Sequence, residues 1–563
     1  MAGWRQLRAA APAAVWPYAA LTVVYLLSVL RVVGWAGLTD PAALYWHDWQ
    51  DQSLYVRSAT ALATGDLAPS QHYYPLLYPL LGLPFLQLWP SQPFFFVNLA
   101  CYLLAFGGFR SVARSFGVPL WGAVLLFAAT TLPQFDIAKV WIEPWTSTPA
   151  AALLWLALGA MARLWDQTSS FDAPLSLPRP FLLPRRRPGP SREPVIGSDS
   201  ASLRSTPQLG PGLRRGSVEE KRAQGGSRWP ASILGLALGL IPFARPGDVI
   251  IGAIIGAFAI VALIRARDGR AALYAAAGFI LSFAVLATLF VAIYGLRPSP
   301  YMLYSAQYGF NFAWLGWKAY VLLVEPRAWF GEGVGLLDAA PWLLLGGAGM
   351  LVAWWTPPAR RPVTLAVAAA GAVYVILMLA YVDLLPTGLW RFNNVHYFKW
   401  VLPLFGLFAV RFVLDAWRRP VTLVALLPIL LALTIRIDPV PVGAHQPARM
   451  VVFPAPVGAA WTPTYFATAW LTDARGEQRN SFDYHQILVG NRVRAVALRR
   501  PFAGDERWIG DDHVRAQLEG RDTGGYAPLY LTGPWPKTTI ARYGARISFG
   551  LPHWFEPRET ARH

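Results

Sequence analysis

The sequence predicts an all-α polytopic membrane protein of about 11 transmembrane helices, followed by a small extracytoplasmic α/β domain. The composition indicates this class, because 55% of the 563 residues are hydrophobic and only 14% are charged. Soluble globular domains carry about 25% charged residues. The chain also contains several uncharged windows of roughly 20 residues, the length that crosses a bilayer as a helix.

The apolar windows and the basic clusters between them predict the topology. The predicted spans are 12–33, 91–110, 118–135, 145–163, 229–244, 247–264, 271–294, 338–356, 362–382, 400–416 and 420–436. Arginines cluster at every second boundary between these windows, as at Arg265, Arg267 and Arg270. Since loops rich in Lys and Arg stay in the cytoplasm, the N-terminus is predicted inside and the C-terminus outside. The same clusters account for the net charge of +18 without a nucleic-acid partner.

Two segments do not have the pattern of a spanning helix. Residues 76–90 are uncharged, but Pro79, Pro84 and Pro90 interrupt them, so we expect a short interfacial or re-entrant piece. Residues 166–228 are rich in Pro, Ser, Gly and Arg and nearly free of aromatic residues. This segment cannot bury enough apolar surface to offset its conformational entropy and is predicted to be a disordered, basic cytoplasmic linker.

Two transmembrane modules and one soluble domain follow from these boundaries. Residues 1–165 form the first module, with its first outer loop at 36–90, and residues 229–437 form the second. Beyond residue 438 charged residues become frequent, and runs such as 492–498 have the mixed pattern of a strand. Residues 438–563 are therefore predicted to fold as a small soluble domain outside the membrane.

Acidic side chains at the outer ends of the spans are the first candidates for chemistry. Asp48 and Asp51 lie in the first outer loop, and Glu143 lies in the outer loop between the third and fourth spans. A carboxylate beside a bilayer is costly unless it is used, and it can accept the proton of an attacking hydroxyl as a general base. The ordinary alternative is that each acid faces a helix N-terminus. Asp48 and Asp51 could hold a divalent ion through oxygen ligands, but no metal is required or predicted.

Cationic residues on the predicted outer face are exceptions to the positive-inside pattern. Arg391, His396 and Lys399 precede the tenth span, and Arg245 lies at the outer turn between the fifth and sixth spans. A bound phosphate would explain them, because Arg binds phosphate in a bidentate fork and Lys as a point charge. Snorkelling of the side chains towards lipid headgroups is the alternative, and His396 also has the character of a hydrogen-bonding interfacial residue.

The order of these motifs resembles that of a known family. The first span is followed by Asp51-Gln52-x-x-Tyr55, then by Tyr74-Pro75-x-x-Tyr78-Pro79, by the outer Glu143 and by Arg245-Pro246. In this order they resemble the GT-C superfamily of integral-membrane glycosyltransferases, and within it the branch of the protein O-mannosyltransferases and the lipid A aminoarabinose transferase. The resemblance covers mainly residues 15–265. Gln52 departs from it, since an acid is common at that position.

The resemblance implies a donor and a role for each candidate residue. Enzymes of this family use a polyprenyl-phosphate sugar as donor on the extracytoplasmic side; no cofactor is predicted for this chain. Asp51 would be the catalytic or acceptor-binding acid and would act as the base, assisted by Asp48 and Glu143. The predicted donor-phosphate ligands are Arg391, Lys399, Arg245 and His396, and the predicted lining of the donor or acceptor site is Tyr55, Tyr74 and Tyr78. The acceptor could be a glycan, a lipid or a protein.

Two other functions are compatible with the sequence. A transporter or flippase of lipid-linked sugars would place ionisable residues near the middle of the bilayer, whereas here the acids cluster at one face. A non-catalytic envelope assembly protein would use its outer domain to recruit partners and would need neither acid. The arginine-rich composition favours a bacterial inner membrane as the location, with membrane lipids as the surrounding partners.

Overall fold

The computed structural model describes most of the chain up to residue 429 and part of the remainder. The described residues are 2–40, 50–169, 228–308, 310, 312, 315, 319–324, 335–355, 361–381, 384 and 391–429, followed by the backbones of seven strands between 435 and 549. Asp48 and residues 170–227 of the predicted linker therefore lie outside the described residues. The two ends of that linker are helical and belong to the flanking helices.

Helices dominate the described part of the chain before residue 430. In chain order the α-helices are α1 (Ala2–Val32), α2 (Gly34–Thr39), α3 (Gln50–Thr64), α4 (Leu77–Gly82), α5 (Phe85–Leu88), α6 (Phe95–Ser115), α7 (Leu120–Thr131), α8 (Phe135–Ile142), α9 (Ser147–Ser169), α10 (Arg228–Ala244), α11 (Val249–Ala266), α12 (Gly269–Tyr294), α13 (Pro300–Tyr308), α14 (Leu336–Ala339), α15 (Trp342–Leu351), α16 (Arg361–Ala380) and α17 (Val401–Arg418). Short 3-10 segments lie at Pro69–Gln71, Pro246–Asp248, Val352–Trp355, Arg391–Tyr397 and Pro420–Leu426, and Tyr320–Val324 is π-helical.

Each predicted membrane window contains a helix, but the helices differ in length. Among the described residues, six are long and apolar enough to cross a membrane. A seventh span results if α7 and α8, which meet at an angle of 97°, are counted as one broken span. Helices α10 and α15 are shorter than the length expected for a straight crossing. The described structure thus supports a membrane protein with six or seven such helices, and the predicted eleven spans stay a prediction.

The proline-interrupted segment 76–90 forms two short helices. Helix α4 ends at Gly82, two residues before Pro84, and α5 ends before Trp89. Neither helix is long enough to span a bilayer, which agrees with the single crossing expected for residues 76–110. That crossing is α6.

Helices α6 and α9 are packed closely and run in the same direction. A Cβ atom added to Gly108 of α6 would lie 2.0 Å from a backbone oxygen of α9, so only glycine permits this approach. At one end of the pair, Asn98 of α6 donates to the carbonyl oxygen of Ile142, just before α9. At the other end, Arg163 of α9 donates to Ser111 of α6. The pair therefore has an Asn98 end and a Ser111 end, and we use these two names for the two ends of the bundle.

Helices α10 and α12 form a second parallel pair. Gly235 of α10 lies against Ala275 of α12, and Gly239, about one turn further along α10, lies against Ser282, about two turns further along α12. Because α11 connects them, it must return in the opposite direction. The turn before α11, which carries Arg245, is therefore at the opposite end from Arg265, as the basic clusters predicted.

The described strands all lie beyond residue 434. They are β1 (Ile435–Ile437), β2 (Arg449–Val452), β3 (Thr462–Thr472), β4 (Gln478–Val489), β5 (Arg492–Leu498), β6 (Leu529–Thr532) and β7 (Ile547–Phe549). An antiparallel sheet has the order β3-β4-β5-β2-β6, and β1 pairs with β7. The predicted strand at 492–498 is thus β5. The last predicted span, 420–436, ends in β1, and the helical part of the predicted α/β domain stays a prediction.

Candidate functional site

Asp51 lies in the first turn of α3, where the helix dipole favours a negative charge. Its Oδ1 atom accepts a hydrogen bond of 2.5 Å from the hydroxyl of Tyr74. Burial raises the pKa of the Asp51 carboxyl, and the bond from Tyr74 lowers it by less. The carboxylate is therefore held in one orientation and is a stronger base than an exposed aspartate.

The three tyrosines predicted to line the site pack on one another. The ring of Tyr55 lies edge-on to the rings of Tyr74, at 4.8 Å between centroids, and of Tyr78, at 5.5 Å. Tyr55 and Tyr78 are buried, and the Tyr78 hydroxyl donates to Asn98 at 2.8 Å. Tyr74 alone of the three has a described bond to Asp51. Tyr55 and Tyr78 thus form the packed support beneath Tyr74, and their contact with a substrate stays a prediction.

Glu143 lies between α8 and α9, with its side chain fully buried. The indole N–H of Trp145 donates to its Oε2 atom at 3.3 Å, and the ammonium of Lys139 is 3.9 Å from Oε1. Burial raises the pKa of the Glu143 carboxyl to about 8, outweighing the bond from Trp145 and the charge of Lys399, which lower it. The Lys139 contact is at the long limit of an ion pair and does not offset the burial. Glu143 is therefore mostly protonated at neutral pH.

Two buried amides hold the loop of Glu143 in place. Gln52 of α3 donates to the carbonyl oxygen of Pro144 at 3.3 Å. Asn98 of α6 donates to the carbonyl oxygens of Ile142, at 2.8 Å, and of Glu143, at 3.3 Å. The first two outer loops are thus connected through α3 and α6. Asn98 is not among the site residues predicted from the sequence, although an amide inside the apolar window 91–110 is a signal that can identify such a residue.

His396 connects the second transmembrane module to this loop. Its ring is stacked on the indole of Trp145, with 4.1 Å between centroids and 11° between planes. Its Nδ1 atom is 3.1 Å from the hydroxyl of Ser147. Burial lowers the pKa of His396 well below its usual value, and the charges of Arg245 and Lys399 lower it further. The imidazole is therefore neutral at pH 7 and serves as a hydrogen-bonding group.

Lys399 is fully buried and is bonded to the protein. Its ammonium donates to the carbonyl oxygen of Val140 and to the hydroxyl of Thr148, both at 2.6 Å. In a continuing helix the Val140 carbonyl would accept from the N–H of residue 144, but that residue is Pro144 and has none. Lys399 supplies the missing donor and thereby closes the end of α8. Burial lowers the pKa of Lys399 well below its ordinary value.

Arg245 is also engaged with the protein. Its guanidinium donates to the hydroxyl of Tyr374 at 2.9 Å, lies 4.0 Å from a carboxylate oxygen of Asp248 and is stacked over the ring of Tyr397 at 4.3 Å. Tyr397 follows His396 directly, so Arg245 belongs to the same region. The side chain of Arg391 lies outside the described residues. The donor-phosphate role of all four predicted residues stays a prediction.

These contacts bring residues from five separate parts of the chain to the Asn98 end of the bundle. We call this group the outer cluster, and it comprises Asp51, Tyr74, Glu143, Arg245, His396 and Lys399. Gln52 connects α3 to the Glu143 loop, and Trp145 connects that loop to His396. Tyr397, the neighbour of His396, contacts Arg245. Across the residues that the structure describes, no three His, Cys, Asp or Glu side chains are grouped so that they could hold a metal ion.

No protein-family model matches the chain, and no curated protein is similar to it in sequence. Two solved structures are similar to it, both of ArnT from Cupriavidus metallidurans, one bound to undecaprenyl phosphate and one in the apo state. The identity is 14% in both cases, and the TM-scores are 0.39 and 0.36. The matches cover 76% and 74% of this chain but only 63% and 62% of ArnT, so the chain spans less than two thirds of the length of that protein.

Proposed function

We propose that the protein is a membrane glycosyltransferase that moves a sugar from a polyprenyl-phosphate donor to an acceptor at the extracytoplasmic face. The observation that supports this most directly is the Asp51 carboxylate, which Tyr74 orients by a 2.5 Å hydrogen bond within the outer cluster. A second buried acid, Glu143, lies in the same cluster. Burial raises the pKa of both carboxyl groups, and acids with raised pKa values are concentrated at sites of acid–base chemistry.

In the proposed reaction, a hydroxyl oxygen of the acceptor attacks the anomeric carbon of the donor sugar. The bond from that carbon to the phosphate oxygen breaks, and the phosphate leaves with the bonding electron pair. Asp51 takes the hydroxyl proton as the new bond forms, and its raised pKa suits it to this task. Glu143, which keeps its own proton at neutral pH, does not compete as a base and instead holds Trp145 in position.

The cations of the outer cluster would stabilise the negative charge that develops on the leaving phosphate. Lys399 and Arg245 have described hydrogen bonds to the protein, so we assign them an electrostatic role across a region of low dielectric. Neutral His396 would supply a hydrogen bond beside them. For Arg391 we propose the direct phosphate contact that the sequence predicts. The acceptor and the sugar are not specified by any of these residues.

The experiment is a transfer assay with purified protein in lipid, a panel of radiolabelled polyprenyl-phosphate sugars, and membrane extract as the source of acceptor. Wild type should transfer the label from at least one donor. Asp51→Asn keeps the shape of the side chain but not its basicity, and its rate should fall by about 10²–10⁴-fold. Asp66→Asn is the matched control, because Asp66 belongs to the same outer segment and its carboxylate only accepts from Ala68 in a turn, at 2.9 Å.

The proposal is wrong if folded wild type turns over none of the donors. The site assignment is wrong if transfer occurs and Asp51→Asn retains the wild-type rate. Loss of transfer in Asp66→Asn to the same extent would also refute the assignment, since it would show that the outer segment merely needs its acids for folding.

A further inference from the structure

A basic pocket opens at the Ser111 end of the bundle, opposite the outer cluster. It has a volume of about 740 Å³ and is lined by Arg110 and Arg114 of α6, by Arg163 and Asp166 of α9, and by Trp229 of α10 among others. Three guanidinium groups thus face this space against one carboxylate. An exposed indole such as Trp229, 76% accessible, is typical of the interface between a membrane and water.

An apolar groove continues from the basic pocket towards the middle of the membrane. The groove has a volume of about 470 Å³ and lies between α1, α6, α9 and α10, with Ala100, Leu104 and Gly107 in its wall. The two spaces share Ser111, Arg163 and Pro230 as lining residues. Because the Arg163 Nε atom donates to the Ser111 hydroxyl at 3.0 Å, one guanidinium is fixed at the junction. We call the pocket and the groove together the basic crevice.

The dimensions of the groove fit one lipid chain. From Ser111 to Ala100, α6 rises by about 16 Å at 1.5 Å for each residue. The hydrocarbon core of a bilayer is about 30 Å thick, so one leaflet contributes about 15 Å. Leu104 is 48% exposed along this path, so its side chain is accessible to a lipid chain in the groove. The groove therefore offers apolar surface over the depth of a single leaflet and ends at a cluster of arginines at the headgroup level.

We propose that the basic crevice binds one anionic phospholipid of the leaflet opposite the outer cluster, with its phosphate among Arg110, Arg114 and Arg163 and an acyl chain in the groove. The positive-inside pattern makes this the cytoplasmic leaflet. Arginine pairs with phosphate through two parallel hydrogen bonds, and basic pockets between membrane helices are suited to anionic headgroups. The site is independent of the proposed transferase reaction, since it lies at the other end of α6 and α9.

The test counts the lipid that the protein retains. Full-length protein is placed in nanodiscs of phosphatidylcholine with a minority of phosphatidylglycerol, released into mild detergent and analysed by native mass spectrometry. Wild type should retain one phosphatidylglycerol in preference to phosphatidylcholine. The double substitution Arg110→Gln with Arg114→Gln removes two of the three charges and should lower this preference by about tenfold or more. The exposed Arg114→Gln alone gives a smaller loss and remains informative if the double variant does not fold.

Two further variants separate the crevice from general surface charge. Ala100→Trp fills the groove from an exposed position on α6 and leaves all three arginines, so it should lower retention as strongly as the charge variant. Arg267→Gln with Arg270→Gln is the loop control: it removes one exposed arginine from the loop between α11 and α12 and one from the first turn of α12, on the same side of the membrane. It should leave retention unchanged.

Each result decides the proposal. Loss of retention in both crevice variants with the loop control unchanged would support it. Equal binding of the two lipids by wild type would overturn it, as would unchanged retention in Arg114→Gln and the double variant. Full retention in Ala100→Trp would overturn the acyl-chain site, and an equal loss in the loop control would show that the membrane surface alone attracts the lipid. Thermal unfolding of each variant verifies that it is folded.

Discussion

The buried carboxyl of Glu143 makes the stability of this protein depend on pH in a direction that can be measured. Burial raises its pKa from the ordinary 4.5 to about 8. Because the folded state holds the proton more tightly than the unfolded state, the stability contribution is fully present below pH 4.5 and is lost as the pH rises through 8. At about 1.4 kcal/mol for each pKa unit, complete ionisation costs about 5 kcal/mol.

Replacing Glu143 by Gln removes this titration and keeps the size of the side chain. Between pH 6 and pH 9 the wild type should lose about 3 kcal/mol of stability relative to Glu143→Gln, since this interval contains most of the ionisation of a group with a pKa near 8. Unfolding of both proteins in detergent, followed by tryptophan fluorescence at several pH values, measures the difference. Asp66→Asn, which changes an acid in a surface turn, serves as the control and should stay parallel to wild type.

A constant difference between wild type and Glu143→Gln over this pH range would refute the reasoning. It would mean that Glu143 stays ionised in the folded protein, with Lys139 as its ion-pair partner rather than as a distant neighbour at 3.9 Å. A gain in the stability of wild type relative to Glu143→Gln as the pH rises would refute it equally, since the reasoning requires a loss.

Three further predictions concern other contacts of the same bundle. Tyr74→Phe removes the hydrogen bond that lowers the pKa of Asp51, so the acid limb of the pH profile of kcat/KM should move to higher pH in the transfer assay. An unchanged acid limb would show that Tyr74 does not influence the ionisation of Asp51. Lys399→Met leaves the carbonyl oxygen at the end of α8 without a donor and should cost about 1–3 kcal/mol in thermal or denaturant unfolding; a variant as stable as wild type would contradict this. Gly108→Ala would place a Cβ atom 2.0 Å from the backbone of α9 and should sharply reduce the yield of folded protein, whereas Gly107→Ala, with 3.3 Å to the nearest atom, should be tolerated.

The sequence predicts which end of the bundle each charged residue belongs to, because the bilayer imposes that order. Asp51 and Glu143 lie at the ends of apolar windows on the side without arginine clusters, and the parallel pairs of helices are arranged as this assignment requires. The pairing of Tyr74 with Asp51 could not be predicted, since it depends on how the segment 69–76 folds back over α3. The contacts of Asn98 are likewise not predicted, because its partners are the hydroxyl of Tyr78 and two backbone carbonyl oxygens of the Glu143 loop, and no local sequence pattern pairs them.

The cations show why an exception to the positive-inside pattern has more than one physical explanation. The sequence predicts Lys399 as a phosphate ligand because a positive charge at the outer face suggests a bound phosphate. The structure supplies a second cause within the chain, since Pro144 leaves the Val140 carbonyl without its helical donor and Lys399 replaces that donor. A lysine that closes a helix end is required whether or not a donor lipid is present. Loss of transfer in Lys399→Met is therefore evidence for a phosphate contact only if the variant is as stable as wild type. Because Lys399 donates to the Val140 carbonyl at the end of α8, we expect the variant to be less stable.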